Sequence, residues 1–369
     1  MILLFLLATG AATLFIAAAS PGNLRIAHDK KNAAVLAEAK ASLFGYAVSH
    51  VNAGERPGDF PLPDRLISPH ESPTGYPNYD GNTDSCTGSG IGMVCIGRLP
   101  WKTMGMMINL PTENDSTGVM PWYAVSANLI DPAGLDVLNS DTLKRCDPVH
   151  PATYPCDTTV TALPHSWLTV RDSQGNVTSN RVAAVLIVPG PPLAKQTHFP
   201  PPALGGPDQY LDSVTVPASC VPPCLPGTYS NYNQDNDFIA GNQSPIFNDR
   251  LLYLTIDDLM QLVLKRVVRE IRTWLNRFYS VNGAYPPNAA PNTPPYACNP
   301  ALTSGALTLQ DGTCVTAPTL PHPSLGKGQA IPIPVWFKDN WIQAVTYQRI
   351  APDQAKLTVN GQDYVIAPN

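Results

Sequence analysis

Eight cysteines are the residues whose types and spacing most clearly predict a chemical role, and they fall into four close pairs along the chain. The pairs are Cys86/Cys95, Cys146/Cys156, Cys220/Cys224 and Cys298/Cys314. Behind the export-type N-terminus described below, this spacing predicts four local disulfide bonds in an oxidising compartment. Zinc binding is the weaker interpretation, because Cys220 and Cys224 lack the spacing of zinc knuckles and no His–Cys cluster accompanies them.

Oxygen-bearing side chains at alternate positions form a second candidate site. Asp80, Asn82 and Asp84 occupy the first, third and fifth places of one short loop, the spacing with which some calcium loops begin. The distal acidic ligand of an EF-hand is missing, because its place falls near Ile91. A solvated turn rich in Asp and Asn is therefore favoured over a calcium site. Residues 233–237 offer a second, equally weak calcium candidate.

No enzyme motif is recognisable. The sequence contains no HExxH, no G-x-S-x-G and no Walker loop, and its seven histidines are scattered. A glycine-rich run at residues 88–92 lacks the strand–helix frame of a phosphate loop. The net charge of −5 at pH 7 gives no general electrostatic basis for binding nucleic acid. We therefore expect no catalytic activity, no cofactor and no nucleic-acid partner.

The element that must position everything else is the N-terminal stretch. Residues 1–19 contain no charged residue and are long enough for a membrane-spanning helix. Apolar residues then recur at three- and four-residue spacing, which is typical of an amphipathic helix with one buried stripe. The predicted stripe is Ala33, Ala37, Ala41, Phe44, Val48 and Val51. As one helix, residues 1–53 would span roughly 75–80 Å at 1.5 Å per residue.

An apolar half-helix that continues into an amphipathic half carrying a globular head resembles the type IV pilins and pseudopilins. The helix breaker at Pro21 and Gly22 and the run Ser42-Leu43-Phe44-Gly45-Tyr46-Ala47 extend the resemblance. It implies a precursor inserted in the cytoplasmic membrane, processed by a prepilin peptidase and stacked with copies of itself into an extracellular filament. The chain departs from the family at Phe5, where pilins usually have a glutamate used in docking.

The resemblance assigns the assembly surface to one set of residues. They are Met1, Leu4, Phe5, Leu7, Leu14, Phe15, Pro21 and Gly22. We expect Phe5 to pack as plain apolar surface and the helix to be interrupted in a stretch ending near Pro21 and Gly22, because proline removes a backbone donor and crowds a carbonyl. A repeating structural subunit is the first interpretation. A minor or tip subunit, with a binding or secretion role, is the alternative favoured by Phe5.

Other interpretations of the N-terminus stay open. A secretory signal peptide would use residues 17–20 as its cleavage site, but no Lys or Arg precedes Arg25. A single-pass anchor would place Arg25, Lys30 and Lys31 at a membrane face. In that case the chain would be a membrane-anchored extracytoplasmic binding module that never polymerises.

A second amphipathic helix is predicted after residue 255. Thr255 is a good N-cap, with Asp258 three residues further on, and the helix should end near Asn282 and Gly283. Its apolar stripe is Leu259, Val263, Val267, Ile271, Trp274 and Phe278. The opposite face carries Lys265, Arg269 and Arg272, which favour a solvated surface over a docking site for acidic partners.

Short strands separated by long loops account for the rest of the chain. Forty prolines predict a loop-rich body. Strands are predicted at residues 121–125, 166–171, 181–188, 335–347 and 356–366. The run at residues 181–188 is apolar on both faces, which predicts a central, buried strand. Turns are predicted between the second and third strands, at residues 172–176, and at Asn360 and Gly361.

The order of these elements suggests a repeat. Each helix is followed by a Gly/Pro run, a cysteine pair and a strand containing tryptophan. The predicted fold class is therefore α+β: a pilin-like long N-terminal helix and a tandemly duplicated, disulfide-stapled head of small antiparallel sheets. The predicted regions are residues 1–53 (with 1–24 as the apolar half), a first head domain at 54–190, a proline-rich linker at 191–250 and a second helix-plus-sheet domain at 251–369.

Overall fold

Two long helices packed on one mixed sheet form the centre of the molecule. The computed structural model describes residues 21–49, 56–64, 94–106, 121–130, 137–147, 162–193, 196, 206–220, 226–233, 235–285, 335–341 and 344–368. The helices are α1 (Pro21–Ser49), α2 (Ile256–Asn282) and the short α3 (Val335–Asn340). The strands are β1 (Val94–Arg98), β2 (Trp122–Ser126), β3 (Leu168–Asp172), β4 (Val177–Val188), β5 (Ser213–Val216), β6 (Gly227–Ser230), β7 (Asp237–Ala240), β8 (Arg250–Thr255), β9 (Val345–Ala351), β10 (Gln354–Val359) and β11 (Gln362–Ile366).

The main sheet has six strands in the order β1-β2-β4-β3-β7, with β8 also paired to β4. All its pairs are antiparallel except β3 with β7. Strand β4 is the centre, because Val185 lies opposite Ala124 of β2 and Tyr253 of β8. The turn predicted between β3 and β4 is confirmed, with Gly175 at φ 82°. Two smaller antiparallel sheets, β5-β6 and β9-β10-β11, complete the set.

Both faces of the main sheet are covered, as its apolar sequence requires. Side chains alternate along a strand, so Ala184 and Leu186 of β4 join the buried cluster beneath the helices. Val185 and Ile187 join a second cluster on the opposite face, with Phe238 of β7. The prediction that residues 181–188 form a central buried strand is confirmed.

Helix α1 is amphipathic, but its buried face is offset from the predicted stripe. Ala33, Ala37 and Ala41 are exposed. The buried residues recur every three or four positions along the adjacent face: Asn32, Leu36, Ala39, Leu43, Tyr46 and Ala47. The reason is area, because a buried leucine removes more apolar surface from water than a buried alanine.

Helix α2 agrees closely with the helix predicted from the sequence. The Thr255 hydroxyl accepts a hydrogen bond from the Asp258 backbone N–H at 3.1 Å, and Gly283 ends the helix at φ 68°. The first four residues of the predicted stripe, from Leu259 to Ile271, are fully buried, while Trp274 and Phe278 are half-buried. The basic residues on the opposite face are exposed, as predicted.

One of the strands predicted in the C-terminal part of the chain is mostly wrong. Residues 335–347 form helix α3 and only the beginning of β9. Asn340 stabilises the helical turn, because its side-chain amide donates to the Trp336 carbonyl at 3.1 Å. The hairpin between β10 and β11 is confirmed, with Asn360 at φ 51° and Gly361 at φ 73°, the conformation that Asn-Gly turns favour.

The predicted fold class is wrong. The N-terminal helix in the described part of the chain is α1, 29 residues long, and a pilin-like long helix is not seen there. Among the described residues, no helix is both long and apolar enough to cross a membrane. Residues 1–20 lie outside the described part.

The predicted duplication fails because strands and helices from both halves share one core. Strand β8 pairs with β4, and one buried cluster extends from Leu36 to Ile366. The similar order of helix, Gly/Pro run and cysteines is local in sequence and does not specify which strands pair. Residues 191–250, predicted as linker and loops, contain β5, β6 and β7. The domain boundaries themselves stay a prediction.

Candidate functional site

The predicted assembly residues lie almost wholly outside the described part of the chain. Of that set, only Pro21 and Gly22 are described, and both are helical, at the start of α1. The interruption predicted before Pro21 and the packing of Phe5 stay predictions.

Three of the eight cysteines are described. Cys146 and Cys220 are disulfide-bonded, and no described cysteine is free. The backbone of Cys95 lies in β1, opposite Val125 of β2. This position places one end of the predicted Cys86–Cys95 loop at the edge of the main sheet.

The predicted partners of these three cysteines fall outside the described ranges. They are Cys86 for Cys95, Cys156 for Cys146 and Cys224 for Cys220, and both members of the fourth pair, Cys298 and Cys314, are also outside. The structure therefore places none of the four pairs completely. The bonds Cys86–Cys95, Cys146–Cys156, Cys220–Cys224 and Cys298–Cys314 stay predictions.

The two calcium candidates differ in what the structure describes. Asp80, Asn82 and Asp84 lie outside the described residues. In the second candidate, the carboxylate of Asp237 binds Arg171 Nε at 2.7 Å. Asp235 is exposed, and its Oδ1 accepts the Asp237 backbone N–H at 3.1 Å. No cluster of three or more metal-ligating side chains occurs in the described ranges.

A cavity of about 480 Å³ lies where α1 crosses the end of β7 and the start of β8. Its wall on the α1 side consists of small and apolar side chains, whereas the β7–β8 connection and β8 supply polar groups. The α1 wall consists of Ala33, Leu36 and Ala37, and the facing wall includes Asn242, Gln243, Asp249, Arg250, Leu251 and Leu252.

Asp249 is tied to a second buried carboxyl group, Asp212. The Asp212 backbone N–H donates to Asp249 Oδ2 at 2.8 Å, and the Asp249 backbone N–H donates to Asp212 Oδ2 at 3.0 Å. Only 4% of Asp212 and 2% of Asp249 is exposed. Each carboxyl group thus fixes the backbone of the other.

The two carboxyl groups have different donors. Asp212 accepts N–H bonds from the backbones of Asn248 and Asp249 and from the Gln196 side chain. Asp249 accepts on Oδ2 alone, from Asp212 and from Asn231 Nδ2. Its Oδ1 is buried without a hydrogen-bond partner.

Burial, together with the neighbouring charge of Asp212, raises the pKa of Asp249 to about 8. Burial also raises the pKa of Asp212. Three N–H donors favour the ionised form of Asp212, whereas Asp249 has two donors, both on Oδ2.

Arg250 stands beside this carboxyl group in the chain and joins β8 to α1. Its Nη2 lies 2.6 Å from Asp29 Oδ2, and its Nε is buried without a hydrogen-bond partner. About a third of each side chain is exposed. Asp249 and Arg250 thus each line the cavity and each hold one fully buried polar atom without a hydrogen-bond partner, Oδ1 and Nε.

Other buried charged residues stabilise the fold by linking neighbouring elements. The guanidinium of Arg98 lies 3.8 Å from the ring centre of Trp122 and 4.8 Å from that of Tyr210, and burial lowers the Arg98 pKa to about 10. Arg181 of β4 binds Asp257, in the first turn of α2, through two hydrogen bonds of 2.8 and 2.7 Å. These contacts tie strands to the neighbouring layers.

Sequence reasoning missed the cavity and the carboxyl pair because the parts that meet there are distant in the chain. Asp212 and Asp249 are 37 positions apart, and α1 lies far upstream of both. Neither aspartate belongs to a spacing motif. The one available signal was a polar segment, residues 212–249, which ends in Asp249 immediately before the largely apolar strand β8.

Comparison with protein-family models, with curated proteins and with solved structures finds no match to this chain.

Proposed function

We propose that this protein is a structural subunit that self-assembles through its apolar N-terminal segment, residues 1–19, into a type IV pilus-like extracellular filament. The observation that carries the proposal is an uncharged segment joined almost directly to a helix fixed to the body. Leu36 and Leu43 bury the inner face of α1. Arg250 binds Asp29 near its beginning at 2.6 Å.

The driving force in this proposal is the hydrophobic effect. Residues 1–19 cannot remain exposed to water without a large cost, and burial between copies recovers about 25 cal/mol per Å². The attachment of α1 would hold each body at a fixed place relative to the packed segment. The precursor would sit in the cytoplasmic membrane before assembly, and the filament would lie at the cell surface.

A membrane-anchored extracytoplasmic binding module is the second candidate function. The observation that favours it is the cavity beside Asp249 and Arg250. In this case residues 1–19 serve only as an anchor. A minor or tip subunit would combine the two roles and be rare in the filament.

The test uses the full chain, purified from membranes in detergent and then freed of detergent. Negative-stain microscopy and sedimentation should show filaments of the wild type and of Leu7→Met, a volume-conserving control. Leu7→Arg should remain in the membrane fraction when expressed but form no filaments, since a charge is costly in an apolar packed interface. Absence of wild-type filaments, or filaments of Leu7→Arg, would contradict the proposal.

A further inference from the structure

We propose that the ion pair between Asp29 and Arg250 is a salt-sensitive latch, which closes the leading part of α1, residues 21–35, onto the body. When the latch opens, this leading part moves away from β8, while the helix from Leu36 onward stays packed. The inference stands apart from the filament proposal, because the latch can open in a chain that never polymerises.

The later part of α1 is the fixed end. Its buried core residues are Leu36, Ala39, Leu43 and Ala47. Two carbonyls near its end are also bonded to the body. The Ala47 carbonyl accepts the Gly58 backbone N–H at 2.9 Å, and the Val48 carbonyl accepts a hydrogen bond from Arg266 Nη1. Exposing the large apolar side chains to water would be costly, so this end stays in place.

The leading part of α1 has much less buried surface. Among its described side chains, which begin at Asp29, only Asn32 is buried, and it is 9% exposed. Lys30, Lys31 and Ala33 are exposed. A segment with few buried apolar contacts opens at a lower free energy than the core does. The leading part can therefore open while the later part stays closed.

A cavity lies beside this part of the helix. Its volume is about 480 Å³, and its walls include Ala33 and Leu36 of α1 and Arg250 and Leu251 of β8. Helix and strand are thus not closely packed on this side. Atoms that face an empty space make no dispersion contacts there, so a movement of the leading part breaks few favourable contacts.

The ion pair holds the leading part at the side of this cavity. Asp29 Oδ2 lies 2.6 Å from Arg250 Nη2, and 28% of the Asp29 side chain and 31% of the Arg250 side chain are exposed. An ion pair in contact with water stabilises its closed state only weakly, and dissolved salt screens it. The contact is therefore strong enough to favour closure and weak enough to be released. Release would change the angle between residues 1–19 and the body.

Hydrogen exchange of the full chain in lipid nanodiscs, read by mass spectrometry, tests the latch. Peptides that cover residues 30–35 and residues 39–48 are compared. Residues 30–35 should exchange at least about tenfold faster, because they open without the core. Raising NaCl from about 0.01 M to about 0.5 M should accelerate their exchange by about twofold to fivefold. Residues 39–48 should not respond to salt.

Variants assign the effect to this ion pair. Arg250→Met and Asp29→Asn each remove one charge, so each should accelerate exchange at residues 30–35 by about twofold to fivefold and abolish its salt dependence. Asp258→Asn is the matched control. It removes an ion pair further along α1, in which Lys40 Nζ lies 4.0 Å from Asp258 Oδ2, and it should leave residues 30–35 unchanged.

Three results would overturn the inference. They are equal exchange rates of the two peptides in wild type, exchange at residues 30–35 that does not respond to salt, and an effect of Asp258→Asn as large as that of Arg250→Met. Circular dichroism checks folding, and Asp29→Asn decides the matter if Arg250→Met fails to fold. Nanodiscs keep the chains apart, so the outcome does not depend on whether filaments form.

Discussion

At the residue scale, the most unusual feature is the buried carboxyl pair Asp212 and Asp249. A neutral acid at pH 7 is retained there because burial and the Asp212 charge raise the pKa of Asp249. Backbone N–H groups donate to one oxygen of each carboxyl group, so the pair joins the loop before β5 to the loop before β8. The remaining oxygen, Asp249 Oδ1, is buried without a hydrogen-bond partner.

The raised pKa of Asp249 predicts how stability depends on pH. In the unfolded chain this carboxyl group ionises near pH 4, whereas in the folded chain it holds its proton up to about pH 8. Between those values the folded state binds more protons, so the free energy of unfolding falls as pH rises. This group contributes a slope of at most about 1.4 kcal/mol per pH unit, and its contribution is constant above pH 8.

The measurement is urea unfolding of the full chain in detergent at pH 5 and pH 8. The Asn side chain of Asp249→Asn cannot ionise. The free energy of unfolding of this variant, relative to that of wild type, should therefore rise from pH 5 to pH 8. Glu38→Gln, at an exposed carboxylate of α1, is the control and should show a much smaller change. The charged neighbours, Asp212 and Arg250, are unchanged in both variants. A pH dependence of Asp249→Asn equal to that of wild type would contradict the assignment.

At the element scale, α1 shows which sequence signals decide burial. The spacing of the apolar residues alone is compatible with two adjacent stripes on α1, and the sequence analysis predicts burial of the stripe that contains Ala33, Ala37 and Ala41. The stripe with Leu36 and Leu43 is buried instead, since its side chains remove more apolar area from water. Helix α2 was predictable because its large apolar residues form only one stripe and because Thr255 and Gly283 mark its ends.

The buried face of α1 leads to a paired prediction. Leu43→Ala should lower the free energy of unfolding by about 2–5 kcal/mol, because it leaves a cavity in the core. Ala41→Ser, two positions earlier on the exposed face, should change it by less than about 0.7 kcal/mol, the cost of serine's lower helix propensity. Denaturant unfolding of the full chain measures both. Similar losses for the two variants would mean that α1 does not bury the leucine face.

The N-cap of α2 allows a similar comparison. Thr255→Ala removes the hydroxyl that accepts the Asp258 N–H and should cost about 1 kcal/mol. Thr273→Ala changes an exposed threonine inside the same helix, whose hydroxyl bonds the Arg269 carbonyl at 2.9 Å, and should cost less. Thermal unfolding followed by circular dichroism compares them. A Tm lower for Thr273→Ala than for Thr255→Ala would exclude the capping role.

At the scale of the whole molecule, the central finding is one core built from both halves of the chain. Local signals located both long helices and several strands, but pairing between distant strands has no local signature. The pairing of β8 with β4 joins positions on either side of residues 191–250, and it overturned the predicted duplication. The same lack of local signal hid the cavity, whose walls come from α1 and β8.

This shared core predicts that the second half cannot fold alone. Residues 251–369 expressed as a fragment would lack β4, the only described partner of β8, and the leucine face of α1. The fragment should show no cooperative unfolding transition and few dispersed NMR signals, whereas the full chain should unfold with one dominant transition. A folded fragment with a cooperative transition would restore the two-domain interpretation.

The central functional proposal is that residues 1–19 pack against copies of themselves. The most direct measurement is in-cell crosslinking with a photoreactive amino acid placed at Leu7, followed by denaturing gels and mass spectrometry. The proposal predicts a ladder of dimers, trimers and larger species that contain only this chain, with crosslinks inside residues 1–19. Placing the same probe at Glu38, on the exposed face of α1, controls for random encounters. A monomer band alone, or crosslinks only to other proteins or lipid, would contradict self-assembly.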